Sequence, residues 1–83
     1  MYSGMEVKMS SLLREQLVPI SQSKTKLPGS PSESSARRWA KRGVIGKKSG
    51  TVHKLEIAYI GSTMYTSIEA FERWSERLTE EFM

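Results

Sequence analysis

The sequence predicts one small α+β domain: two short helices, a basic segment running into a β-hairpin, and a closing amphipathic helix. Three observations carry this prediction. Serine- and proline-rich turns bracket two stretches of helical composition between residues 21 and 43. A run of β-branched and aromatic residues from 55 to 60 is followed by Gly61 and Ser62 and then by a second short run. Beyond Thr66 the apolar residues recur at helical spacing. With 83 residues and 9.4 kDa, there is room for one modest core, because a chain this short buries only about 60% of the surface its unfolded form exposes.

Residues 1–11 mix glycine, serine, charge and methionine without a sustained period and read as a disordered segment, which leaves 12–83 as the domain. Leu12, Leu13, Leu17, Val18 and Ile20 form the first apolar cluster, and Pro19 argues against one continuous helix through it. A short helix is expected over 21–27, with Ser21 as its cap, Ile20 packing back as a staple, and Pro28 and Gly29 ending it. Ser30, Pro31 and Glu33 fit a capping box for the next helix, with Ser32 and Ser34 as alternative caps. That helix runs to Arg42, and Gly43 terminates it. Ala36, Trp39 and Ala40 fall at i, i+3 and i+4 and make one apolar stripe. Ser34, Arg38 and Lys41 centre on the opposite face, flanked by Arg37 and Arg42.

From Val44 the pattern changes. Gly46, Lys47, Lys48, Ser49 and Gly50 read as a basic loop, mobile in the free protein. A strand is expected over 55–60, with Gly61 and Ser62 at the tip of a hairpin and Thr63, Met64 and Tyr65 returning. Thr66 and Glu69 suggest a second capping box, with Ser67 as the rival cap. The last helix carries Ala70, Phe71, Trp74 and Leu78 on one stripe, extended by Phe82, and turns its glutamates outward. Two short helices joined around Pro28 and Gly29 make a helix-turn-helix, and the basic loop with the hairpin after it stands where a winged variant carries its wing.

Charge and composition narrow the function. The net charge is +4, but residues 30–54 alone carry +6 while 55–83 carry −4. A basic segment of this density points to a polyanion, nucleic acid first. There is no cysteine and no aspartate, and His53 is the sole histidine. Disulfides, thiolate metal sites and a cysteine nucleophile are excluded, and His53 has no companion ligand, so no metal and no cofactor are expected. The serines lie in turns without a nucleophile elbow, and the glutamates are strung along one helix. No enzyme and no small-molecule substrate are expected. No run approaches the roughly 20 apolar residues of a membrane span, and the first residues lack the order of a signal peptide. A cytoplasmic protein is the expectation. Gly43, Val44, Ile45 and Gly46 match a bare Gly-x-x-Gly clamp of RNA-binding type, but no helix follows. Trp39 belongs to the apolar stripe and reads as core rather than as a base-stacking platform.

The run Arg37, Arg38, Trp39, Ala40, Lys41, Arg42, Gly43, then Ile57 to Gly61, and then Tyr65, Thr66 and Ser67 leading into the acidic-aromatic closing helix, resembles the excisionase and MerR class of winged helix-turn-helix domains. Within it, the chain is similar over roughly residues 14–80 to the small planctomycete family called domain of unknown function 1580. The residues concerned are Leu17, Val18, Pro19 and Ile20, Leu27 and Pro28, the Arg38, Trp39, Ala40 core, Arg42 and Gly43, Leu55 and Glu56, Gly61, and Tyr65 to Ser67. The first helix reads Gln22, Ser23, Lys24, Thr25, Lys26 where that family is alanine-rich. The resemblance implies a DNA-binding fold. Double-stranded DNA is therefore the expected partner, bound as by a small transcriptional regulator or an excisionase-like directionality factor, with neighbouring copies on the DNA. The residues expected to touch it are Ser34, Arg37, Arg38, Lys41, Arg42, Lys47, Lys48 and Lys54, cations for phosphates and guanine edges. The alternative is a protein-interaction module on the same fold. It would dock a partner through the acidic last helix or the apolar stretch from Leu12 to Ile20.

Overall fold

The computed structural model describes residues 12–83; the expected disordered segment 1–11 lies outside the described residues. The chain is α+β. Its order is β1 (Leu17–Pro19), a 3-10 turn (Ile20–Gln22), α1 (Ser23–Lys26), α2 (Glu33–Lys41), β2 (Val44–Ile45), β3 (Val52–His53), β4 (Ala58–Ile60), β5 (Thr63–Ser67) and α3 (Ile68–Phe82). β5 is the centre of an antiparallel sheet between β1 and β4, while β2 and β3 form a separate hairpin.

The stretch around Pro19 is a strand as well as an apolar cluster. Leu17 pairs with Ser67 and Pro19 with Tyr65. β1 is an edge strand, the place in a sheet where a residue without an N–H is tolerated. The expected helix over 21–27 is shorter: the 3-10 turn comes first, and α1 holds four residues. Ser21 caps nothing. Leu27 is already extended, with ψ 145°, as the residue before a proline prefers. Ser23 is fully buried and donates its hydroxyl to the Pro31 carbonyl at 2.9 Å, which ties α1 to the start of α2.

α2 begins two residues later than the Ser30 box implies. Gly29 and Ser30 are both left-handed, with φ 83° and 52°. An N-cap needs extended backbone, so Ser30 serves the reversal of the chain and Ser32 becomes the cap, its Oγ accepting the Ser35 N–H at 3.2 Å. Gly43 ends the helix as expected, with φ 75° and its N–H given to Arg38 O. A Cβ there would also lie 2.7 Å from the His53 carbonyl, so two independent constraints select glycine.

Of the strand expected over 55–60, only its last three residues pair. The reason lies in competing partners: Leu55 N–H goes to Trp39 O, and the Glu56 carbonyl accepts the Thr66 hydroxyl at 2.8 Å. The hairpin around Gly61 and Ser62 forms as expected, Ile60 facing Thr63. Because Thr66 is committed to Glu56, Ser67 caps α3, accepting the Ala70 N–H at 2.8 Å.

The core is assembled from three clusters. Val18, Leu27, Leu55, Phe71 and Trp74 form one, with Trp39, Val44, Ile68 and Leu78 packed against it. Ile20, Ala36, Ala40 and Met64 form the second, and Leu12, Ala58 and Ala70 the third. Trp39 stands 4.8 Å from Trp74 between ring centroids, and Phe71 5.7 Å from Trp74, distances at which tilted rings attract beyond simple burial. The stripe of α3 does not extend to Phe82, which is 54% exposed. At about 100° per residue, position 81 returns to within roughly 20° of Trp74, whereas 82 points some 80° away. Glu81 therefore takes the inward place and is buried, against the expectation that every glutamate of this helix faces out.

Candidate nucleic-acid interface

α2 separates its two faces as the spacing predicts. Ala36 and Ala40 are buried, Trp39 is half-buried, and Ser34, Arg37, Arg38, Lys41 and the following Arg42 lie on the solvent side. The cations are not equivalent. Arg37 donates through Nε and Nη2 to Glu33 one turn earlier, at 3.1 and 2.9 Å, so its charge is partly answered within the helix. Arg38, Lys41 and Arg42 form no ion pair among the described residues. Lys54 joins this group just after β3: its Cγ lies 2.9 Å from where a Cβ of Gly43 would stand, directly against the end of α2.

Lys47 and Lys48 sit at the tip of the β2–β3 hairpin, where Ile45 faces Val52 and Val44 faces His53. The residues of the Gly-x-x-Gly string are thus the first strand of this hairpin and the residues flanking it. The expectation of a free loop needs correcting. Gly46 N–H donates to Thr51 O and Gly50 N–H to Gly46 O. The buried Glu81 carboxylate then reaches in from α3. Its Oε1 accepts the Lys48 and Ser49 N–H groups at 3.0 and 2.9 Å, and its Oε2 accepts the Ser49 hydroxyl and His53 Nε2–H. Gly46 makes this possible, since a Cβ there would collide with the Glu81 carboxyl group. The Lys47 and Lys48 side chains stay exposed, but their backbone is anchored. Sequence reasoning missed Glu81 and gave His53 no role. The available signal was a glutamate in phase with the apolar stripe of its own helix.

An open groove of about 330 Å³ beside this contact is lined by Lys48, Ser49, His53, Arg77, Glu80 and Glu81. About one to two turns earlier along α3, Arg73 bridges Glu15 and Glu56, with its closest approach to each at 2.7 Å, and the Ser67 hydroxyl donates to Glu15 at 2.6 Å. Among the described residues there is no group of three or more His, Cys, Asp or Glu side chains placed to hold a metal, and no helix is long and apolar enough to cross a membrane.

Both anchoring carboxylates are held below their ordinary range. The Arg73 guanidinium and then the Ser67 hydroxyl do this for Glu15. For Glu81, the Ser49 hydroxyl and then His53 bring the carboxyl down to about 2. A depressed folded pKa contributes stability above the unfolded value, and that contribution is lost as pH falls through the folded one. The domain should therefore weaken progressively as pH falls from about 4.5 towards about 2. Urea melts at stepped pH check this, and a Glu15→Gln, Glu81→Gln double variant should show a flatter acid limb. An equal slope in the variant would mean that other groups carry the acid response.

No protein family, curated protein or solved structure matches the chain.

Proposed function

We propose that the chain binds double-stranded DNA through the outward face of α2 together with Lys54 and the β2–β3 tip, in a winged helix-turn-helix arrangement. In this reading α1 and α2 are the helix pair, the β2–β3 hairpin is a basic wing, and the protein acts as a small transcriptional regulator or an excisionase-like directionality factor. One observation carries it. Arg38, Lys41, Arg42, Lys47, Lys48 and Lys54 are exposed and without ion pairs among the described residues, and they lie on or shortly after a helix whose apolar side supplies Ala36 and Ala40 to the core. Exposed cations that form no ion pair suit a polyanion. Arg38 and Lys41 face outward from the helix, where they can meet base edges as well as phosphates. The others are placed for backbone contacts.

The test is a titration with random duplex across a salt series. If the protein neutralises about 4–6 phosphates, the log–log slope should lie near −4 to −5, at roughly 0.9 per phosphate. No salt-dependent binding would favour the protein-interaction reading. A specific observation would then matter: Tyr59 and Ile60 on the edge strand β4 are 59% and 48% exposed. The stretch from Leu12 to Ile20 suits docking less, since Leu12, Val18 and Ile20 are buried in the core.

A further inference from the structure

We propose that Glu81 is a positioning residue for duplex binding: from the far end of α3 it fixes the backbone of the β2–β3 loop so that Lys47 and Lys48 meet the phosphate backbone already ordered. The proposal rests on the duplex-binding reading above.

The geometry is specific to one side chain. Both carboxylate oxygens of Glu81 are used, Oε1 by two successive backbone N–H groups and Oε2 by the Ser49 hydroxyl and the His53 ring. Successive N–H groups turned to one point form an anion-binding nest, and here the anion comes from the chain itself. Gly46 leaves the space that the carboxylate fills. His53 is held at both ends, because its carbonyl accepts Trp74 Nε1–H at 2.9 Å while its ring donates to Glu81. One helix therefore mounts the hairpin at two points, about two turns apart along its inward face.

Helix stability does not account for this carboxylate. Glu81 lies in the last turn of α3, where the helix dipole disfavours negative charge. Its compensation comes entirely from the hairpin. A loop bearing two lysines would otherwise be ordered at the moment of binding, at the expense of affinity. Holding that loop in place beforehand removes this loss while leaving both ammonium groups in solvent.

The experiment compares the wild-type chain with Glu81→Ala, Gly46→Ala and Glu80→Ala. The readouts are 15N relaxation of residues 47–50 in the free protein and duplex affinity over a salt series, with thermal melts confirming that each variant is folded. Glu80→Ala makes the same charge change at an exposed neighbour with no hydrogen bond to the loop, so it isolates the effect of charge. Glu81→Ala should lower the order parameters of 47–50 and bind duplex about tenfold more weakly than Glu80→Ala, the size expected for ordering a short loop and one or two side chains. Gly46→Ala disturbs the same contact from the loop side with no charge change, and should lower order and affinity alike relative to wild type; it decides the matter if Glu81→Ala does not fold. Glu81→Ala binding as tightly as Glu80→Ala, or a loop whose order is unchanged, overturns the proposal alone. A wild-type chain that binds no duplex overturns the underlying reading with it.

Discussion

Replacing Trp74 by alanine should destabilise the domain by about 3–5 kcal/mol, the range found for truncating a buried large aromatic. Trp74 is 5% exposed and is the ring that both Trp39 and Phe71 pack against. Its indole also donates to the part-buried His53 carbonyl, and that hydrogen bond is lost together with the packing. A small domain holds about 5–15 kcal/mol in total, so a loss of this size removes a large fraction of its stability. Urea melts followed by far-UV circular dichroism measure this directly. Trp39→Ala should lose less, because Trp39 is only half-buried. A loss below about 1 kcal/mol at Trp74 would be incompatible with a buried, hydrogen-bonded indole.

The second large effect is on binding. Arg38→Ala with Lys41→Ala removes two exposed cations that form no ion pair among the described residues, so the melt should stay within about 0.5 kcal/mol of wild type. Duplex affinity near physiological salt should fall by about 10- to 100-fold, with the magnitude of the salt slope shrinking by about 2, near 0.9 for each phosphate that is no longer neutralised. Arg37→Ala should do less, since Arg37 already shares its charge with Glu33. A double variant that folds normally and binds as wild type would place the duplex surface away from α2.

The legible parts of this fold were those that depend on local chemistry. The faces of α2, its stop at Gly43, the Gly61 hairpin and the onset of α3 follow from spacing, caps and turn residues within a few positions of one another. What was not legible depends on partners distant in sequence. β1 is three residues long, too short to show an alternation, and becomes a strand only because β5 lies beside it. The strand expected over 55–60 gave up its first half to Trp39 and Thr66. Ser30 has the sequence context of a cap, and only its left-handed backbone rules it out. The candidate interface divides in the same way. The cations of α2 are visible as a helical face, whereas the anchoring of the basic loop hinges on Glu81, 32 residues from the Ser49 that it holds.

The pairing of β1 with the middle strand of its sheet bears on how the chain emerges from the ribosome. Val18 finds its partner in Thr66, and Glu15 finds Ser67 and Arg73 only 52 and 58 residues further on. At synthesis rates of about 5–20 residues per second, the first strand waits roughly 3–10 s before its ladder can form. During that interval Leu12, Val18 and Ile20, all buried in the finished domain, have no core to enter. The helix pair of α1 and α2 lacks Met64 and Trp74 over the same period. Native collapse is thus deferred until α3 is made, and the nascent chain carries an uncovered apolar strand until β5 has been added. Ribosome-bound chains stalled before residue 60 should be protease-sensitive throughout, while those stalled far enough beyond 83 to clear the exit tunnel should gain protection in one step.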